Sequence, residues 1–68
     1  MVFASICNRL SPRERDVLSH IVAGFRHKET AIDLGISPRT VETHCIHIRQ
    51  KLGARTYAEV VRIALRGA

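Results

Sequence analysis

The chain has 68 residues, 46% of them hydrophobic, with eleven Lys and Arg against six Asp and Glu for a net charge of +5. This length allows one domain with one small core, and this apolar content excludes a disordered tail. No apolar run approaches the roughly 20 residues of a membrane span, and the basic balance favours a polyanionic partner.

In chain order, Met1 to Ile6 is short and apolar but lacks a basic start and a small-residue cleavage site, so it does not read as a signal peptide. Residues 1–9 are expected to be a linker or N-terminal extension, and residues 10–68 the domain. No segment alternates as a strand does. Helix start and stop signals recur instead, four times. Ser11, Pro12 and Glu14 form the first: a capping serine, a proline at the first helical position, and a glutamate placed to complete a capping box. Val17, Leu18, Ile21 and Val22 follow at helical spacing, and Gly24 supplies the stop, which predicts a helix from Pro12 to Ala23. A second, shorter helix is predicted from His27 to Leu34, with Ala31, Ile32 and Leu34 as its apolar side and Gly35 at its end. The third starts at Ser37-Pro38 and runs to Leu52, before Gly53. Its Val41, Cys45, Ile48 and Leu52 fall in one narrow stripe, the expected buried face. The fourth opens at Thr56, with Glu59 three residues on, and runs to Arg66 with Gly67 as its stop. Val60, Val61, Ile63, Ala64 and Leu65 make it apolar around most of its circumference, more than one small domain can hide, so part of it should meet another protein.

The expected architecture is therefore all-α, a four-helix bundle. Its second and third helices, joined at Gly35-Ile36-Ser37, have the spacing of a helix-turn-helix, in which the second member lies in the DNA major groove. Opposite the buried stripe of the third helix lie Arg39, Thr43, Ile46 and Gln50, flanked by Glu42 and His47. Thr and Gln can hydrogen-bond base edges, Glu can accept from a cytosine amine, and Ile can meet a thymine methyl. Ile46 weighs most, because an apolar residue on a polar face adds nothing to solubility; the alternative is an ordinary exposed apolar side chain. Lys28, at the start of the second helix, and Thr40, His44, Arg49 and Lys51 on the flanks of the third are assigned to phosphates, which position a protein without reading sequence. Each Lys or Arg taken singly is also compatible with a solvated surface charge.

Chemistry of other kinds finds little support. His44, Cys45 and His47 diverge around their helix and cannot supply the three or four convergent ligands of a metal site. No carboxylate pair, nucleophile–base arrangement or phosphate-cradling glycine loop is present in the sequence, so neither an enzyme nor a cofactor or metal site is expected. Cys7 and Cys45 do not make a disulfide framework. A free Cys45 on an apolar face acts as a small hydrophobe and fits a reducing cytoplasm, with a redox sensor as the alternative.

Leu10-Ser11-Pro12-Arg13-Glu14-Arg15, Val22-Ala23-Gly24, Lys28-Glu29, Ile36-Ser37-Pro38-Arg39-Thr40-Val41-Glu42, His44 and Lys51-Leu52-Gly53 together resemble the LuxR/FixJ-type (GerE-like) DNA-binding domain of bacterial regulators, over residues 10–66. The segments Ser37–Glu42 and Val60–Leu65 are most similar to the FixJ-type response regulators. The resemblance implies a third helix that reads double-stranded DNA through Glu42, Thr43 and Ile46. It implies phosphate contacts near Lys28, Thr40 and His44, and a homodimer through the fourth helix, placed on Val60, Ile63 and Ala64. RNA polymerase is a further candidate partner. In that family the domain usually follows a receiver or ligand-binding domain, though some members stand alone. Three residues depart from the pattern: His27 where Asn is usual, Thr30 where Ile is usual, and Tyr57 where Arg is frequent. The first two predict a looser core beneath the second helix, and Tyr57 removes a phosphate contact. Two rivals stay open, a sigma-factor-like promoter-binding region and a helical protein–protein adaptor.

Overall fold

The computed structural model describes residues 9–66, which hold four helices: α1 (Pro12–Val22), α2 (His27–Leu34), α3 (Pro38–Leu52) and α4 (Tyr57–Arg66). No strand occurs among the described residues. The readings made for Met1–Ile6, Cys7 and Gly67 lie outside them.

Local chemistry sets the boundaries. At α1 the Ser11 hydroxyl accepts from the Glu14 amide at 3.2 Å while Glu14 Oε1 accepts from the Ser11 amide at 2.9 Å, a closed capping box. At α3 the Ser37 hydroxyl accepts from the Thr40 amide at 3.1 Å. At α4 the box forms with a shift of one residue. Thr56 Oγ1 accepts from the Glu59 amide, but the Glu59 carboxylate reaches back to the amide of Arg55, at 2.7 Å. Gly35 and Gly53 close α2 and α3 with φ of 70° and 69°, in the left-handed region that costs other residues free energy.

The helices pack around α3, which lies against α1, α2 and α4. The core is Leu10, Val17, Leu18, Ile21, Ala31, Val41, Cys45, Ile48, Val60 and Ala64, with Leu34, Leu52, Val61 and Ile63 packed on its edge. The stripe expected on the third helix is thus the buried one. On α2 the expectation needs correction. Ile32 is 75% exposed, whereas Thr30 is fully buried. The inward face is His27, Thr30, Ala31 and Leu34, an i, i+3, i+4, i+7 pattern masked in the sequence by two polar members. Nor is the region under Thr30 short of partners, since its hydroxyl donates to the Arg26 carbonyl at 2.8 Å. No helix in the described residues is long and apolar enough to cross a membrane.

Candidate nucleic-acid interface

The fold determines which side of α3 is free. With Val41 and Ile48 wholly buried, the opposite side carries Arg39, Glu42, Thr43, Ile46, His47 and Gln50, all exposed. Ile46 keeps 46% of its surface in solvent. The Thr43 hydroxyl donates to the Arg39 carbonyl one turn back at 3.1 Å, so it faces a partner with its lone pairs and its methyl group. No acidic residue lies in the first turn of α3, and the positive end of the helix dipole there is unopposed. Lys28 and Thr40 are exposed, as a phosphate contact requires. His44 is half-buried, with Nδ1 enclosed and without a hydrogen-bond partner among the described residues.

The structure revises other assignments. Lys51, expected on phosphate, instead binds Glu14 Oε1 at 2.7 Å. Glu14 itself is buried, and its second oxygen lies 3.8 Å from His47 Nδ1. Burial pushes the Glu14 carboxyl up, but hydrogen bonds from Lys51 and the Ser11 amide outweigh it, and the net displacement is below the ordinary value. Arg49, also expected on phosphate, is half-buried and donates to the Arg55 carbonyl at 3.0 Å, tying α3 to the loop before α4. Val60 and Ala64, expected at a dimer contact, are 1% and 4% exposed, so neither side chain can touch a partner while the core is intact. Ile63 is half-buried. The apolar residues that α4 leaves outward are Ala58 and Leu65, with Leu65 at 67% exposure, and Val61 is half-buried beside them at the edge of the core.

Two clusters escaped the sequence reading. His20 joins α1 to α2: Nδ1 lies 2.8 Å from the Asp16 carbonyl, and Nε2 is paired with Asp33. Tyr57, at the start of α4, meets His27 of α2 and Cys45 of α3. These pairs are 13, 30 and 12 residues apart in the chain, beyond the reach of any periodicity.

A model of the family described as bacterial regulatory proteins, luxR family (GerE) matches residues 8–64. The chain belongs to the LuxR family. It is the helix-turn-helix, DNA-binding domain of a LuxR-type transcriptional regulator, in a family of regulators and not of enzymes. It is 52% identical over 58 residues to the transcriptional regulatory protein FixJ of Rhizobium meliloti, covering 85% of this chain and 28% of that protein. It is 44% identical over 57 residues to the oxygen regulatory protein NreC of Staphylococcus aureus, covering 84% of this chain and 26% of the relative. The crystal structure of full-length FixJ from B. japonicum superimposes with a TM-score of 0.81 at 39% identity, covering 97% of this chain and 34% of that one. The LuxR-type chain thus spans about a quarter to a third of the length of these relatives.

Proposed function

We propose that the chain is a sequence-specific regulator of transcription that inserts the outer face of α3 into the major groove of double-stranded DNA. The observation that carries this reading is the pairing of a wholly buried Val41–Ile48 stripe with an exposed face of Arg39, Thr43, Ile46 and Gln50 on one rigid, capped helix. Glu42, Thr43 and Ile46 make the base contacts, with Arg39 and Gln50 beside them and His47 at the margin. Lys28, Thr40 and the Nε2 side of His44 hold phosphates. Lys51 and Arg49 are withdrawn from that role because both are engaged within the protein. The DNA-binding unit is residues 10–68, with residues 1–9 a linker or extension.

A dimer on DNA is part of the proposal, supported by the outward Ala58 and Leu65 and by the half-buried Val61 and Ile63 at the two edges of α4. Two copies on one face of the duplex would place half-sites about 10 base pairs apart. RNA polymerase is a further partner of the regulator, and the bacterial cytoplasm is its compartment.

The test is selection of bound duplexes from a random-sequence pool, followed by titration of variants. Thr43→Ala or Ile46→Ala should relax preference at one or two positions, costing about 1–3 kcal/mol each, while Lys28→Ala should weaken binding to every sequence and flatten the salt dependence. A Lys28→Ala variant that changed the preferred sequence, or Thr43 and Ile46 variants that left it intact, would contradict the division of roles.

A further inference from the structure

We infer that Tyr57 and His27 are positioning residues for DNA recognition, setting the spacing between the phosphate anchor on α2 and the base-reading face of α3. This rests on the proposed function and extends it to residues that touch neither bases nor phosphates. The two side chains are partners: the Tyr57 hydroxyl lies 2.7 Å from His27 Nε2, with the rings edge-on at 5.2 Å and 67°. The same hydroxyl lies 3.3 Å from Cys45 Sγ, and that sulfur is 3.7 Å from His27 Nε2. Burial pushes both the Cys45 thiol and the Tyr57 hydroxyl up, so both stay protonated near neutrality. The hydroxyl, the thiol and the ring nitrogen thus form one hydrogen-bonded network, with the Tyr57 hydroxyl in contact with both of the other groups.

The location gives this junction its consequence. His27 is the first residue of α2, directly before Lys28, and Tyr57 is the first residue of α4. α2 and α4 share no extended packing face, so their link is concentrated at these first residues. Cys45 lies on α3 between the buried Val41 and Ile48. The three groups form one wall of a cleft of about 320 Å³ whose other lining residues are Glu42, Ile46 and Arg49, so the junction borders the reading face itself. Without the hydroxyl, the start of α2 can pivot against α3 while the aliphatic core stays packed. Lys28 then no longer stands at a fixed distance from Glu42 and Ile46. Attraction to phosphate survives such a loss, because it tolerates many arrangements, whereas base readout depends on register.

The experiment measures binding of the wild-type chain and of Tyr57→Phe, His27→Asn and the double variant to two labelled duplexes. One is recovered by selection against the wild type; the other is its scrambled version. Thermal melting is followed in parallel. Each single variant should lose about fivefold in affinity for the selected duplex, roughly one net hydrogen bond, with the scrambled duplex unaffected. The double variant should be no worse than either single. A purely structural role would lower both affinities together, in step with the melting curve. That result, an unchanged ratio of the two affinities, or strictly additive losses would overturn the inference while leaving the proposed function in place. A wild type that fails to prefer any duplex would overturn both. His27→Asn keeps the question decidable if Tyr57→Phe does not fold.

Discussion

Glu14 shows how one side chain can serve two ends of a small protein. It caps α1 through the Ser11 amide and holds Lys51 of α3 from a position 4% exposed. His20 does the converse with a positive charge. Its Nδ1 faces the Asp16 carbonyl and its Nε2 faces the Asp33 carboxylate, and only the imidazolium donates to both. The hydrogen bond to Asp33, followed by that to the Asp16 carbonyl, raises the His20 pKa above its ordinary value, and the nearby charges of Asp33 and Asp16 add to this against the opposing effect of burial. The two groups give opposite pH dependences. Glu14 titrates lower when folded, so its contribution is complete above its ordinary 4.5 and fades as pH falls through the folded value. His20 titrates higher when folded, so its contribution is complete below its ordinary 6.5 and fades as pH rises through the folded value. Denaturant unfolding across this range should show greatest stability between those two values. Asp33→Asn should flatten the alkaline decline and leave the acid decline unchanged; an alkaline decline that persisted in Asp33→Asn would remove His20 from the account.

At the scale of elements, the turn between α2 and α3 rests on Gly35. Its φ is 70°, and the amides of Gly35 and Ile36 close back onto the carbonyls of Ile32 and Ala31. A Cβ there would meet nothing within 4 Å, so Gly35→Ala tests backbone strain alone. It should cost about 1–2 kcal/mol, or a fall in Tm of about 4–8 °C per kcal/mol, and Gly35→Asn should recover part of it. Equal melting of Ala, Asn and Gly variants would show that the turn does not depend on this conformation. The helices and their ends were legible because caps, prolines and glycines act within a few residues of one another. The stripe on α3 was legible because fifteen residues give the period room to repeat. On α2 only eight residues are available, and His27 and Thr30 fill inward positions with polar groups, so Ile32 took their place in the reading. α4 carries Glu59, Arg62 and Arg66 along one side and apolar residues around the rest, and that breadth left its inner stripe undecided and put Val60 and Ala64 at a dimer contact. Within the candidate site, exposure at Arg39, Thr43, Ile46 and Gln50 followed from their position opposite the core. The engagement of Lys51 and Arg49 did not, because their partners lie on other elements, 37 residues from Lys51 in the case of Glu14.

For the whole molecule, a net charge of +5 favours a polyanionic partner, and in the proposed reading the geometry of α3 gives the encounter with DNA its register. The outward apolar residues of α4 bear on how two copies would share a site. Leu65→Glu should abolish self-association without unfolding the chain, because Leu65 is 67% exposed. Ultracentrifugation and circular dichroism check the two halves, and unchanged association would move the dimer contact elsewhere. The central proposition is that the outer face of α3 enters the duplex. Amide chemical shifts mapped during titration with a selected duplex test it most directly. The largest changes should fall at Arg39, Glu42, Thr43 and Ile46, with Lys28 and Thr40 also moving and Leu18 and Ile21 of α1 still. Silence at Thr43 and Ile46, with the changes gathered on α4, would contradict it.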